Sequence, residues 1–439
     1  MGTYFFKTFC YSCGDFGMIE AKYTLKCKDL PLLHFELQSE IYRVGALEDK
    51  SYSLQIKSVE NQTSQIFPYQ LRSGKLSNQS LLSWISHRKA PKNRQFIDHI
   101  LDAIEDSKNP MRYVDVSHAL SLNDAFWIMN DDHPEKWEDV NLYHHPFNQL
   151  LAQIAFTGYG SQKVRGVVSS PELTSSGALK KCWSNRPDGI YLLKGDEFTN
   201  RQDGRSQATM EYYAAQVAEA MKLDHIPYDL EEFHHENGTR EVICKCKIFT
   251  TEDIGFVPAS VFFADKVGDE QLEPIDSLKV QLHLSKVFGE TAYEDMMIFD
   301  AIIGNQDRHL MNFGYLVDNN TGEYLRPAPI FDNGFSFFLG AARADLQKDN
   351  FPRYVEHIHG KFLGFKEQAA YFLRKRHLKM LRALLNFQFR NHPQYGLSDD
   401  YLKKMDFFVQ HRARKMLDLA RKLKISSKTE HPERNHLSR

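Results

Sequence analysis

Asp307, Asn312 and Asp332 are the residues of this chain best suited to chemistry. They lie in GNQDRHLMNFGYLV (304–317) and PAPIFDNGFSFF (327–338). Asp307 and Asn312 are five residues apart in a loop expected after a helix, and Asp332 falls twenty further on in a sharp Asp-Asn-Gly turn. Two carboxylates and an amide oxygen are hard oxygen groups, suited to Mg²⁺ and to receiving a proton. Phosphoryl transfer needs such a set: one carboxylate to orient the attacking hydroxyl, and an Asn with an Asp to hold metal on the nucleotide. The protein-kinase pattern places its base Asp five residues before its metal Asn, with an Asp-Phe-Gly turn beyond, and the spacing here is the same.

Upstream elements must bring a nucleotide to these residues. GIYLLK (189–194) has strand length and ends on Lys194, whose ammonium could reach phosphates. Glu211 follows 17 residues later on the next helix and could pair with it; Glu219 is the rival partner. The loop SSPELTSSGALKK (169–181) precedes this strand, where a phosphate-covering loop belongs, with Ser176 and Gly177 at its centre. Adenine is expected against a connecting strand near Cys246 and Phe249. Bland readings stand beside these: a loop cap, turn residues, or a snorkelling strand-end lysine.

The order Asp-Arg-His-x-x-Asn departs from the usual His-Arg-Asp. GNQDRHLMNFG followed by PIFDNGFSF resembles the HipA family of kinases and, more distantly, the phosphoinositide kinases, over roughly residues 150–420. HipA-like proteins are bilobed serine/threonine kinases, several of them toxins held in check by an antitoxin. The resemblance implies Asp307 as catalytic residue, Asn312 and Asp332 as Mg²⁺ ligands, Lys194 on the ATP phosphates, and His309 as a support for the loop. It also implies self-phosphorylation in the phosphate loop, with Thr174, Ser175 and Ser176 all eligible. A protein substrate with a Ser or Thr acceptor and an antitoxin partner are the implied partners. A small-molecule or lipid kinase, or a non-catalytic ATP-binding module of the same fold, stays open.

The rest of the chain fits an α+β protein with an added N-terminal domain. The expected divisions are 1–150 (accessory), 151–250 (small sheet-containing lobe), 251–425 (helical lobe) and 426–439 (polar tail). LHFELQSEIYRV (33–44) alternates like a strand, with Leu33, Phe35, Leu37 and Ile41 on one face. Residues 80–106 read as two helices around a basic, Pro-broken loop, and 128–145 as a polar surface connection. ATMEYYAAQVAEAMKL (208–223) carries Met210, Ala214, Val217, Ala218 and Met221 at helical spacing. Residues 226–233 and 240–249 read as a hairpin turning at Asn237-Gly238. A helix is expected over 291–303 and another over 398–424, the second capped by Ser398.

Net charge is −2, with 26% charged and 42% hydrophobic residues, which excludes wholesale disorder and bulk-charge coating of nucleic acid. No run approaches the length of a membrane span, and six cysteines are too few for a disulfide scaffold. Reduced thiols in a cytoplasmic protein are expected. Cys10, Cys13, Cys27 and His34 match no tight zinc spacing.

Overall fold

A computed structural model of the chain describes residues 18–44, 47–60, 65–72, 74–90, 109–157, 170–174, 180–196, 205–235, 238–268 and 272–425. Ser176, Gly177, Asn237, Cys10, Cys13, the second helix expected before residue 106 and the 426–439 tail lie outside these. Among the described residues no helix is long and apolar enough to cross a membrane, and Cys27, Cys244 and Cys246 are free thiols.

The N-terminal region is a sheet with short helices. Strands β1 (Met18–Cys27), β2 (Leu30–Val44) and β3 (Leu47–Val59) run antiparallel. Helices α1 (Asn78–His87) and α2 (Arg112–Ser117) lead to β4 (Phe126–Asn130), which pairs with β1, so the order is β3-β2-β1-β4. Leu33, Phe35 and Leu37 are buried as their alternation requires. Ile41 is not: it is exposed, on the part of the β2–β3 hairpin that runs past the core. The expectation of a polar connection over 128–145 is corrected too. Ile128 belongs to β4, and α3 (Trp137–Val140) buries Trp137 and is followed by buried Asn141 and Leu142. Polar residues around them masked a few large apolar anchors.

After α4 (Gln149–Thr157) comes a second sheet: β5 (Lys181–Arg186), β6 (Gly189–Lys194), β7 (Asp229–His234) and β8 (Arg240–Lys247), in the order β5-β6-β8-β7. Strand β5 was not anticipated; it completes a hairpin with β6 in which Lys181 faces Lys194 and Cys182 faces Leu193. Opposed residues of an antiparallel pair share a face. Cys182, Leu193 and Ile243 therefore pack on Phe156 of α4, while Lys181 and Lys194 emerge on the other side.

Helix α5 (Gln207–Met221) crosses that other side. Ser206 caps it reciprocally with Thr209, satisfying first-turn N–H groups. It is less amphipathic than its spacing predicts, because it is buried almost all round. Met210, Tyr213, Ala214, Val217 and Ala218 join the helical core, while Ala208 and Ala215 pack with Leu230 and Cys244 of the sheet.

The remaining chain is mainly helical. Strand β9 (Ile254–Pro258) and α6 (Ala259–Lys266) lead to α7 (Leu278–Phe288), α8 (Glu290–Ile303), β10 (Gly314–Asp318) and β11 (Tyr324–Pro327). Strands β9, β10 and β11 form a small sheet in the order β11-β10-β9. Helices α9 (Phe351–His357), α10 (Phe365–Phe372), α11 (Lys375–Ala383) and α12 (Asp399–Lys422) complete the core around α8. Of the stripe expected to be buried on α12, Met405, Val409, Ala413, Met416, Leu417 and Ala420 are buried, while Leu402 in the first turn is only partly so. Ser398 stands at its N-cap but makes no side-chain cap bond, so first-turn Asp399 and Asp400 supply the favourable charge instead.

Helix α8 stops at Gly304, whose φ of +67° is the left-handed conformation glycine adopts without strain. A Cβ there would also lie 2.5 Å from Ile358 Cδ1 and 2.8 Å from Phe408 Cζ. Gly304→Ala is therefore expected to lower stability by about 2 kcal/mol, from backbone strain and overpacking; urea unfolding of both forms checks this.

Candidate active site

The 305–312 loop leaves α8 under a dense set of bonds. Asn305 accepts from the Asp307 backbone N–H (3.1 Å) and donates to Asp300 Oδ1 (3.1 Å). Arg308, almost fully buried, has each of its five N–H donors matched. Nε and Nη2 clamp both oxygens of Asp300 at 2.9 Å, Nη1 donates to Asn312 O (2.8 Å) and Phe331 O (2.9 Å), and Nη2 also reaches Asn333 Oδ1 (2.7 Å). One guanidinium thus joins α8, the loop and the Asp-Asn-Gly turn.

Asn312 is buried beneath the loop rather than on its open side. Its Oδ1 accepts from His309 N (2.9 Å) and its Nδ2 donates to Asp307 O (2.9 Å), so its amide braces the loop and retains one oxygen lone pair. His309 Nδ1 accepts from Met311 N (3.2 Å), which assigns the neutral ring its proton on Nε2, 3.9 Å from Asp307 Oδ2. Burial pushes the His309 ring below its ordinary pKa, against the pull of Asp307. Asp307 itself is half exposed, with Oδ1 paired to Lys361 Nζ at 2.9 Å.

Across the cleft, Lys194 sits between two carboxylates: 3.3 Å from Glu211 Oε1 and 2.9 Å from Asp332 Oδ1. Burial disfavours its ammonium, but Asp332, Tyr228 and Glu211 outweigh this and hold its pKa well above the usual lysine value. Burial pushes Glu211 up to about 7 against the pull of Lys194. Asp332 resists its own burial because the Lys194 ammonium holds it well below the usual carboxylate range. Asp332 lies at φ +60°, its N–H donating to Tyr228 Oη (3.2 Å), and the next N–H, from Asn333, donates to Glu211 Oε2 (2.8 Å). Glu219, the rival to Glu211, pairs instead with exposed Arg390.

A cleft of about 620 Å³ joins the two groups. Lys181, Lys194, Asp307 and Asp332 line its charged end, and Leu192, Ile226, Cys246, Phe249, Phe256 and Phe331 its apolar end. Burial pushes the Cys246 thiol up to about 12, so it stays neutral at that wall. Thr174 lines the same cleft. So do Ser121, Leu122 and Asn123 of the N-terminal region, held by Thr250 Oγ1 donating to Leu122 O (2.6 Å) and Phe256 N to Asn123 O (2.7 Å).

The structure thus brings Lys194, Glu211, Cys246, Phe249, Asp307, His309 and Asp332 together around one cleft, with Asn312 behind its wall. Arg308, Asp300, Asn333, Lys181, Lys361 and the 121–123 segment were missed. Only Lys181 carried a signal: alternation from Cys182 places it on the Lys194 side once β5 is recognised. Arg308→Met should lower stability by about 3–5 kcal/mol, because Asp300 is left buried without its counter-charge. Chemical unfolding measures this, and Arg308→Lys should recover only part, lacking the planar fork.

No protein-family model matches the chain, and no curated protein matches it by sequence. Solved structures do. The Helicobacter pylori proinflammatory kinase CtkA is 18% identical, with 58% of this chain and 94% of that one covered at a TM-score of 0.41. HipA from Shewanella oneidensis MR-1, solved with HipB and its operator DNA, is 11% identical, with 91% of this chain and 98% of that one covered at a TM-score of 0.51. The chain has a HipA-like, bilobed kinase fold, and the likeness to HipA runs over nearly its whole length.

Proposed function

We propose that the chain is an ATP- and Mg²⁺-dependent kinase that transfers the γ-phosphoryl group to a serine or threonine hydroxyl of a protein. The observation that carries this reading is Lys194, held between Glu211 and Asp332 at the charged end of a cleft that also exposes Asp307. The cleft is polarised as a nucleotide is: Lys181 and Lys194 suit phosphates, and the wall from Leu192 to Phe331 suits a base. Asp332, which opens on the cleft, fits a hard cation whose other ligands are phosphates and water, and Asn312 would add its spare lone pair only from behind the cleft wall. Such a cation would neutralise phosphate charge. Of the two, Asp332 fits better, because it opens on the cleft and carries a full charge.

The chain's own groups do the positioning. Lys194, oriented by Glu211, would hold the phosphates; Asp307 would orient the acceptor hydroxyl and take its proton; Arg308 and Asn312 keep that carboxylate in register. Catalysis of this kind is mostly alignment and charge stabilisation. Self-phosphorylation of the 174–176 segment and an antitoxin partner belong to the same reading. The first rests on Thr174 at the cleft; the second rests only on fold likeness to HipA, which was solved with HipB.

Incubation of the pure protein with γ-labelled ATP, Mg²⁺ and cell lysate tests the reading. Label is expected on protein, and label confined to small molecules or lipids would move the assignment to those substrates. Asp307→Asn is expected to abolish transfer while leaving the melting temperature near that of the wild type, since the carboxylate is half exposed. Wild-type turnover in that variant would remove Asp307 from the mechanism. A metal titration separates the other two positions: Asp332→Ala should raise the Mg²⁺ needed for half-maximal rate more than Asn312→Ala does.

A further inference from the structure

Lys361 comes from a part of the chain with no place in the arrangement so far. It is 54 residues downstream of Asp307, in the segment between α9 and α10, yet its Nζ lies 2.9 Å from Asp307 Oδ1. The next two residues, Phe362 and Leu363, are both buried in the helical core, and Phe365 beyond them is buried too. Gly360, just before, is closely packed: a Cβ there would lie 2.7 Å from Leu363 O. The backbone that bears Lys361 is therefore pinned on both sides, while its side chain stays half exposed and turned to Asp307.

A pair as exposed as this contributes little to stability, so folding alone does not account for a lysine mounted so firmly. Its placement bears on the one carboxylate that the phosphotransfer reading assigns to the acceptor hydroxyl. We infer that Lys361 is a catalytic residue for phosphoryl transfer: it fixes the direction of the Asp307 carboxylate and presents its remaining N–H donors to the oxygens of the group in flight. An ammonium has three donors, and Asp307 Oδ1 takes one.

The inference rests on the kinase reading and adds a third cation to Lys181 and Lys194, on the side of Asp307 and the acceptor. In the step itself the acceptor oxygen forms a bond to the γ-phosphorus. The bond from that phosphorus to the β–γ bridging oxygen breaks, and its electron pair leaves with ADP. The acceptor's proton passes to Asp307. Negative charge spreads over the equatorial oxygens as this happens, and a fixed cation at the acceptor end favours that state over the ground state. Lys361 would therefore act on turnover and leave nucleotide binding alone.

The test compares wild type, Lys361→Met and Lys361→Arg, with γ-labelled ATP, Mg²⁺ and dephosphorylated casein as acceptor. Lys361→Met is expected to lower kcat by about a hundredfold, the scale set by misaligning a catalytic group. KM for ATP should stay within about twofold, since binding is spared. Lys361→Arg should restore part of kcat, and all three proteins should melt within a degree or two of each other. Unchanged kcat in Lys361→Met overturns the inference. A rise in KM for ATP that accounts for the loss also overturns it, by moving Lys361 to nucleotide binding. A lowered melting temperature without rescue by Arg reduces Lys361 to a structural role. A wild type that transfers no label to casein, to itself or to lysate protein, yet binds Mg-ATP in calorimetry, defeats the kinase reading rather than this one.

Discussion

A buried guanidinium tolerates no unmatched donor, and the architecture around the cleft is organised by meeting that demand at Arg308. Its five N–H groups end on Asp300 of α8, on backbone oxygens of Asn312 and Phe331, and on the Asn333 side chain. The partners belong to three pieces of chain, α8, the loop and the Asp-Asn-Gly turn, so satisfying one side chain brings those pieces into register. The Asp307 loop and the Asp332 turn, twenty-five residues apart in sequence, inherit their relation from this. The arrangement is costly to disturb, because a charge out of water is held by its partners alone.

Much of this was legible in local sequence. Lys194 at a strand end, Glu211 on the following helix and the Asp307–Asn312 spacing each depend on a single element or loop, where periodicity and turn chemistry speak directly. What was not legible depends on distant segments. Arg308 stands inside the Asp-Arg-His-x-x-Asn motif, but the motif does not tell a buried hub from a surface charge. Nothing near Lys361 reveals that its segment returns to Asp307, and the 121–123 stretch meets the cleft only through tertiary bonds to Thr250 and Phe256. Strand β5 escaped because KCWSNR is short and carries a single apolar residue on each face, its place set by pairing with β6. Asn312 reads as a ligand from spacing, while its amide proves to be spent mostly on the loop backbone.

The N-terminal sheet is joined to this centre rather than appended to it. Its core takes in Ile190 of β6 and packs Trp183 and Ile248 against it. Trp137 Nε1 donates to Glu252, beyond the second sheet, and Lys28 pairs with Asp253 at 2.6 Å. The apolar wall of the cleft is thus built from two regions of the chain, and a change in the first 150 residues can alter what fits there without touching any charged group.

Helix α5 has a further consequence. Its side chains are committed to the helical core on one face and to the β7–β8 sheet on the other, and Glu211 is locked between Lys194 and Asn333. Rotating it outward would open two apolar seams at once and strand a carboxylate in a dry interior. Outward rotation of α5 is therefore among the costliest movements open to this fold, and the cheaper ones are those of segments at the mouth of the cleft, which leave both seams closed.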